Sequence, residues 1–225
     1  MSAQIIHIPQ LLTANELIQI DDLIATAHFV DGKTTASSAA KEVKNNLQIT
    51  PNDTALQQIQ SIINTALQQS PLFNIAALPK QIYPFVVSKY QNNQSYGWHV
   101  DSPIMGSPAI RTDLAMTIFL SDPNSYQGGS LMIQNDQNVV TLKPAKGDAV
   151  LYPCQFLHCV EPITAGERLA AVSWIQSNVK DSAQRQILFQ LNQVHGALHE
   201  QAPHAPATNL LLQTHSNLFR MWADV

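Results

Sequence analysis

Residues 96–101 read Tyr-Gly-Trp-His-Val-Asp, and His99 and Asp101 decide how the rest of the chain is read. Two apart on an extended segment, these side chains point the same way. One imidazole nitrogen and one carboxylate oxygen can then reach a single ion. His158, far downstream, can supply a third ligand from another strand. Two histidines and one carboxylate on one face of a metal leave the opposite face open, which is the donor set of a non-haem iron(II) centre. A lone His-x-Asp also fits a hydrogen-bonded pair at a strand end, so its surroundings must separate the two readings.

Those surroundings are rich in strand signals. Tyr83–Tyr90, Arg111–Leu120, Gly129–Gln134, Asn138–Leu142, Asp148–Tyr152 and Arg168–Ser177 all read as strands. Turn signals separate them at Asp122-Pro123-Asn124, Gly128-Gly129, Asn135-Asp136, Pro144 to Asp148 and Ala165-Gly166-Glu167. Many short strands with regular punctuation predict a sandwich, jelly roll or barrel. Arg168 opens an otherwise apolar strand. A buried cation there needs an anionic partner, and its planar fork suits a carboxylate.

The flanks read differently. Residues 4–8 form a short strand. Thr13 to Glu16 is a capping box, opening a helix with Leu17, Ile20, Leu23 and Ile24 on one face. Asp31 to Ala40 reads as a loop. Pro51-Asn52-Asp53 opens a second helix through Gln69, striped by Leu56, Ile59, Ile62, Ile63 and Leu67, and Ser70-Pro71 stops it. After Asp181, Ile187, Leu188 and Leu191 mark another helix. Glu200 to Ala207 reads as a linker, and Asn209 to Trp222 as a last helix bearing Leu211, Leu212, Leu218, Phe219 and Trp222. Three regions follow: a helical support over residues 1–80, a β domain over 81–178 and a helical extension over 179–225.

Particular strings carry a resemblance: Tyr96 to Asp101, Arg111-Thr112-Asp113-Leu114, Phe119-Leu120-Ser121, Tyr126-Gln127-Gly128-Gly129, Gly147 to Pro153 and Trp174-Ile175-Gln176-Ser177. In this order they resemble the Fe(II)/2-oxoglutarate-dependent dioxygenases, and among them the bacterial PKHD-type hydroxylases, which have a prolyl-4-hydroxylase-like domain. The resemblance implies an α+β fold with a double-stranded β-helix (jelly-roll) core between N-terminal and C-terminal helices. It implies His99, Asp101 and His158 as ligands of Fe(2+), and Arg168 as the partner of the distal carboxylate of 2-oxoglutarate. Tyr90 matches a tyrosine that hydrogen-bonds the cosubstrate; a strand tyrosine with its ring in the core fits equally. Phe119 lies where some relatives carry a tyrosine that assists the arginine, and phenylalanine cannot make that bond. The implied reaction hydroxylates an unactivated C–H bond and releases succinate and CO2, with L-ascorbate as a supporting reductant. The substrate stays open among a peptidyl proline, a free amino acid and an iron-chelating metabolite.

Composition narrows the rest. The 225 residues carry a formal net charge of −4 and no basic block, which speaks against a nucleic-acid surface. No apolar run reaches the roughly 18–20 residues of a membrane span, and residues 1–10 do not read as a signal peptide, so a cytoplasmic enzyme is expected. Cys154 and Cys159 read as buried free thiols rather than a disulfide. Arg111 and Asp113, two apart on a strand, fit a substrate contact or an ion pair, and Tyr96 and Trp98 fit a substrate entrance or packing. His195, His199 and His204 lack a convincing third ligand. The apolar C-terminal helices call for a partner surface, most simply a homodimer, or for packing on the N-terminal helices. Two other classes compete: a cupin-like metal barrel without 2-oxoglutarate, for which Arg168 has little purpose, and a non-catalytic interaction module.

Overall fold

The computed structural model describes residues 4–35, 38–135 and 137–224. Ala36 and Ser37 of the expected loop, and Asp136 of the Asn135-Asp136 turn, lie outside the described residues. Two sheets face each other. The larger runs, in spatial order, through Ile6–Ile8, Ala149–Pro153, Leu114–Phe119, Glu167–Ser177, Val86–Gln91, Leu47–Ile49 and Phe29–Asp31, with Pro79–Ile82 also paired to Glu167–Ser177. The smaller runs through Val139–Leu142, Leu131–Gln134, Leu157–Val160, Ser95–His99 and Lys44–Asn45. This is the jelly-roll core of an α+β protein.

Strand periodicity sorts the side chains between two cores. On Leu114–Phe119, Met116 and Ile118 face the helices, whereas Ala115 and Phe119 face the space between the sheets. On Glu167–Ser177, Ala171 and Ile175 face the helices, while Arg168, Val172 and Trp174 face the interior cavity. Both faces of the larger sheet are therefore covered, and every residue of Leu114–Phe119 is buried.

The covering layer is helical. Thr13 and Glu16 close the expected capping box on Ala14–Thr26. Asp53 caps Thr54–Gln69, whose Leu56, Ile59, Ile63 and Leu67 are buried. Ser70 does end that helix, but Pro71 does not stop helical structure: it stands in the first turn of a further helix, Pro71–Ala77, capped by the Ser70 hydroxyl. Proline is well placed there because its missing N–H would be unsatisfied anyway. The C-terminal helices span Ser182–Gln201 and Pro206–Trp222. The expected linker is thus shorter than Glu200 to Ala207, because Pro206 again starts a helix. These two helices pack together, and the first also packs on Pro71–Ala77.

Three further differences bear on the site. The expected Tyr83–Tyr90 strand is broken at Tyr83-Pro84-Phe85. The Asp31–Ala40 segment is more ordered than a loop, with a 3-10 turn at Gly32–Thr35 and a helix at Ser38–Val43. The segment from Lys44 to Ile49 then crosses from the smaller sheet to the larger, pairing first with Tyr96 and then with Ser88 and Lys89. No described helix is long and apolar enough to cross a membrane.

Candidate metal and cosubstrate site

His158 sits directly opposite His99 across the antiparallel pairing of Leu157–Val160 with Ser95–His99. The imidazole centroids are 4.3 Å apart, and His158 Nε2 lies 3.7 Å from Asp101 Oδ2. One ligand atom from each of His99, Asp101 and His158 can be chosen so that all lie within 4.8 Å of one another. Among the described residues this is the one such group of histidine, cysteine and acidic side chains.

Backbone hydrogen bonds set the histidine tautomers. His99 Nδ1 is 2.8 Å from the Gly97 carbonyl, and His158 Nδ1 is 3.0 Å from the Phe156 carbonyl. A carbonyl can only accept, so both Nδ1 atoms carry the proton and both Nε2 lone pairs are left to face an ion. Burial, helped by the His158 ring, pushes the His99 imidazole down to about 3, which keeps it neutral. Burial raises the Asp101 carboxyl above its ordinary range, opposed by His158 and by the Trp174 and Cys154 side chains. Asp101 Oδ2 is buried without a hydrogen-bond partner. A divalent cation among these atoms would satisfy that oxygen and favour its ionised form. The donor set therefore fits iron(II).

A local irregularity shapes the same wall. The register slips between His158↔His99 and Val160↔Tyr96, so the Tyr96–His99 strand carries one extra residue. Plain alternation would put residues 96 and 99 on opposite faces; the bulge turns both inward. Tyr96 consequently stacks on His99 at 3.6 Å between centroids and lines the cavity, while Trp98 points outward and is exposed. Gly97 is required here, since a Cβ would lie 2.9 Å from Val43 Cβ.

Arg168 is 1% exposed, the largest of the fully buried side chains. Its register partner on the neighbouring strand is Tyr90. The guanidinium carbon stands 5.3 Å from the Tyr90 ring centroid and 5.4 Å from that of Phe119, so aromatic faces flank it. Its Nε and Nη2 have no hydrogen-bond partner. A buried cation with two unmet donors is costly unless an anion completes it, and the free donors suit a carboxylate. Burial raises the Tyr90 phenol, against the Arg168 charge and the nearby Asn46 and Ser88 side chains. Arg168, Tyr90, His99, Asp101 and His158 all line one cavity of about 720 Å³.

Arg111 and Asp113 form a two-pronged ion pair at 2.7 and 3.0 Å. Arg111 also binds the Ser177 carbonyl and Asp224, so the pair ties the C-terminal end to the β domain. Cys154 and Cys159 are free and buried. His195 and His199 stack along their helix at 5.8 Å and belong to no three-ligand group among the described residues.

Sequence reading missed the contribution of residues 44–48 to the cavity. Lys44 and Gln48 line it, and Lys44, Asn46 and Gln48 are all buried while Asn45 is exposed. Polar residues at i, i+2 and i+4 were the available signal, legible only once the segment is known to be extended. Burial brings the Lys44 ammonium down to about 8, against the pull of Asp31 and Asp101.

Fold and site together define a 2-oxoglutarate- and iron(II)-dependent oxygenase. Residues 85–176 match the 2OG-Fe(II) oxygenase superfamily, and residues 182–224 match the PKHD-type hydroxylase C-terminal domain. A PKHD-type hydroxylase of Acaryochloris marina is 41% identical over 220 residues, covering 98% of this chain and 100% of its own length. The chain belongs to the PKHD-type hydroxylases, oxidoreductases whose superfamily uses iron(II) and 2-oxoglutarate. Solved structures share the fold at low identity. A Pseudomonas putida prolyl-4-hydroxylase is similar at TM-score 0.54 and 16% identity, over 78% of this chain and 93% of that one. HygX from Streptomyces hygroscopicus, seen with nickel, 2-oxoglutarate and hygromycin B, is similar at TM-score 0.55 and 12% identity, over 79% and 85%.

Proposed function

We propose that His99, Asp101 and His158 hold the iron(II) and that Arg168 binds the distal carboxylate of 2-oxoglutarate, with the Tyr90 hydroxyl donating to the cosubstrate. The observation that carries this reading is the buried guanidinium with unmet donors on the same cavity as the three ligand side chains. Bound iron(II) supplies, with dioxygen, the coupling of 2-oxoglutarate decarboxylation to substrate C–H hydroxylation. The protein's own part is placement. Gly97 and Phe156 carbonyls orient the two imidazoles. Tyr90 and Phe119 hold the arginine plane and exclude water from it. Residues 81–178 form the catalytic domain, supported by residues 1–80 and 179–225.

L-ascorbate is assigned as the supporting reductant that keeps the metal in its ferrous state. A cytoplasmic setting agrees with two buried free thiols. A homodimer through the C-terminal helices agrees with the exposure of Leu210, Leu212 and Met221 on Pro206–Trp222. The substrate is a small molecule or a peptide segment that enters the shared cavity. The test is succinate formation with purified protein, iron(II), 2-oxoglutarate and ascorbate, screened over candidate substrates with mass detection of an added oxygen atom. Succinate formation that does not depend on Arg168 would remove this reading.

A further inference from the structure

The guanidinium of Arg168 has two distinct sides. Nε and Nη2 are the donors without a hydrogen-bond partner. In the planar guanidinium these two form the side-on fork, and Nη1 lies on the other side, next to Cδ. The Cδ side is closely packed. A Cβ on Gly129 would lie 3.2 Å from Arg168 Cδ and 3.1 Å from Tyr126 Cε2. Cε2 is the ring carbon beside the one that carries the hydroxyl. The hydroxyl end of Tyr126 and the Cδ side of Arg168 therefore meet over one glycine. Burial raises the Tyr126 phenol, against the charge and the hydrogen-bonding donors of Arg168.

Tyr126 is fixed independently of the arginine. It follows a tight turn in which Ser125 N and Oγ both donate to the Asp122 carbonyl, at 2.9 and 2.7 Å. Lys143 Nζ donates to the Tyr126 carbonyl at 2.9 Å and lies 4.0 Å from the centroid of its ring. Gln127 then pairs with Ala165. A Cβ on Gly166 would lie 2.9 Å from Tyr126 Cα, so the turn leading into Arg168 rests directly on the Tyr126 backbone. The tyrosine is 3% exposed and packs with Tyr90, the register partner of Arg168. Phenylalanine would meet a packing role alone, as Phe119 does on another side of the guanidinium. A buried tyrosine hydroxyl takes a hydrogen-bond partner, and a guanidinium, which can only donate, suits its oxygen.

We propose that Tyr126 is a positioning residue: its hydroxyl accepts from Nη1 of Arg168 and so keeps the Nε–Nη2 edge turned toward the distal carboxylate of 2-oxoglutarate. Tyr126 is not among the side chains that line the cavity, so it acts through the arginine and not on the cosubstrate itself. The rings of Tyr90 and Phe119 flank the guanidinium without offering it an acceptor in their faces. The Tyr126 oxygen selects one orientation of the fork, and a fork held in advance binds more tightly than one that must be ordered on binding. This inference rests on the 2-oxoglutarate assignment above.

The test uses the full chain loaded anaerobically with iron(II) and titrated by calorimetry with two acids. One is 2-oxoglutarate. The other is 2-oxopentanoate, which carries a methyl group in place of the distal carboxylate. The wild type should bind 2-oxoglutarate about tenfold or more tightly than 2-oxopentanoate. Tyr126→Phe should reduce that ratio by about fivefold or more, as expected for losing a hydrogen bond to a charged group. The loss should fall on 2-oxoglutarate alone, with iron content and 2-oxopentanoate affinity unchanged. An unchanged ratio in Tyr126→Phe would overturn the proposal, because the hydroxyl then has no part in placing the fork. Equal weakening of both acids, or loss of iron, would also overturn it, since either reduces Tyr126 to packing. A wild type that binds the two acids alike would sink the cosubstrate assignment itself, and this proposal with it.

Discussion

His99 and His158 face each other as register partners on adjacent antiparallel strands, and each ring is locked by an Nδ1 bond to a carbonyl two residues before it. Two separate segments thus present the same tautomer toward one point. Asp101, just past the strand end, completes the group without a turn of its own. The arrangement is rigid because it depends on sheet register, and a one-residue slip of either strand would turn that strand's ring out of the interior.

Removing one corner should therefore empty the site without unfolding the protein. His158→Ala leaves two ligands, and its metal affinity should fall by more than about 100-fold, beyond the effect of losing an outer partner. Metal analysis after dialysis against a weak chelator measures this, with circular dichroism to show that the sheet persists. Stoichiometric iron retained by His158→Ala would show that the ion sits elsewhere.

On the proposed assignment, Arg168 separates cosubstrate from metal. If the proposal holds, Arg168→Ala should deprive the cosubstrate carboxylate of its buried partner, at a cost of about 2–5 kcal/mol, or roughly 30-fold to several thousand-fold in 2-oxoglutarate affinity. Iron content should be unchanged. Arg168→Lys should recover only part of the loss, because an ammonium lacks the planar fork. Calorimetric titration of 2-oxoglutarate into the three proteins reads the difference directly.

Gly129 supports that arginine from behind. Its φ is +67°, and a Cβ there would lie 2.2 Å from Ile163 Cδ1, 3.1 Å from the Tyr126 ring and 3.2 Å from Arg168 Cδ. Gly129→Ala should destabilise the fold by more than about 1 kcal/mol and weaken 2-oxoglutarate binding as Arg168 is displaced. A thermal melt and the same titration would show both effects; a variant that melts and binds like the wild type would contradict the packing described here.

The C-terminal helices make a prediction about assembly. Leu210, Leu212 and Met221 are exposed on Pro206–Trp222. The full chain should scatter light as a dimer at micromolar concentration, and the Leu212→Glu, Met221→Glu double variant should shift toward monomer. A monomeric full chain would end the dimer proposal and leave the chemistry untouched.

Much of this was legible in the sequence, for identifiable reasons. The β core was readable because strand periodicity and turn residues repeat from Arg111 to Ser177. His99 and Asp101 were readable because extended backbone fixes their common direction. The direct opposition of His158 to His99 was not, since register is a tertiary property. The same applies to the bulge that turns Tyr96 inward beside His99. Ser70-Pro71 was read correctly as the end of Thr54–Gln69, but Pro206 misled because proline both ends and begins helices. Arg111 and Asp113 could not be assigned between ion pair and substrate contact until Asp224 and the Ser177 carbonyl were seen beside Arg111. Lys44 was missed because the segment around it has weak strand character and is held extended by pairing on both sides.

The most direct test of the account is an anaerobic titration of iron(II) into the protein with 2-oxoglutarate, monitored in the visible. A weak charge-transfer band should grow to one equivalent of iron, appear only when both components are present, and be absent from His158→Ala and, at the same 2-oxoglutarate concentration, from Arg168→Ala. A band of full intensity in either variant, or none in the wild type, would contradict the assignment of these residues to a shared metal and cosubstrate site.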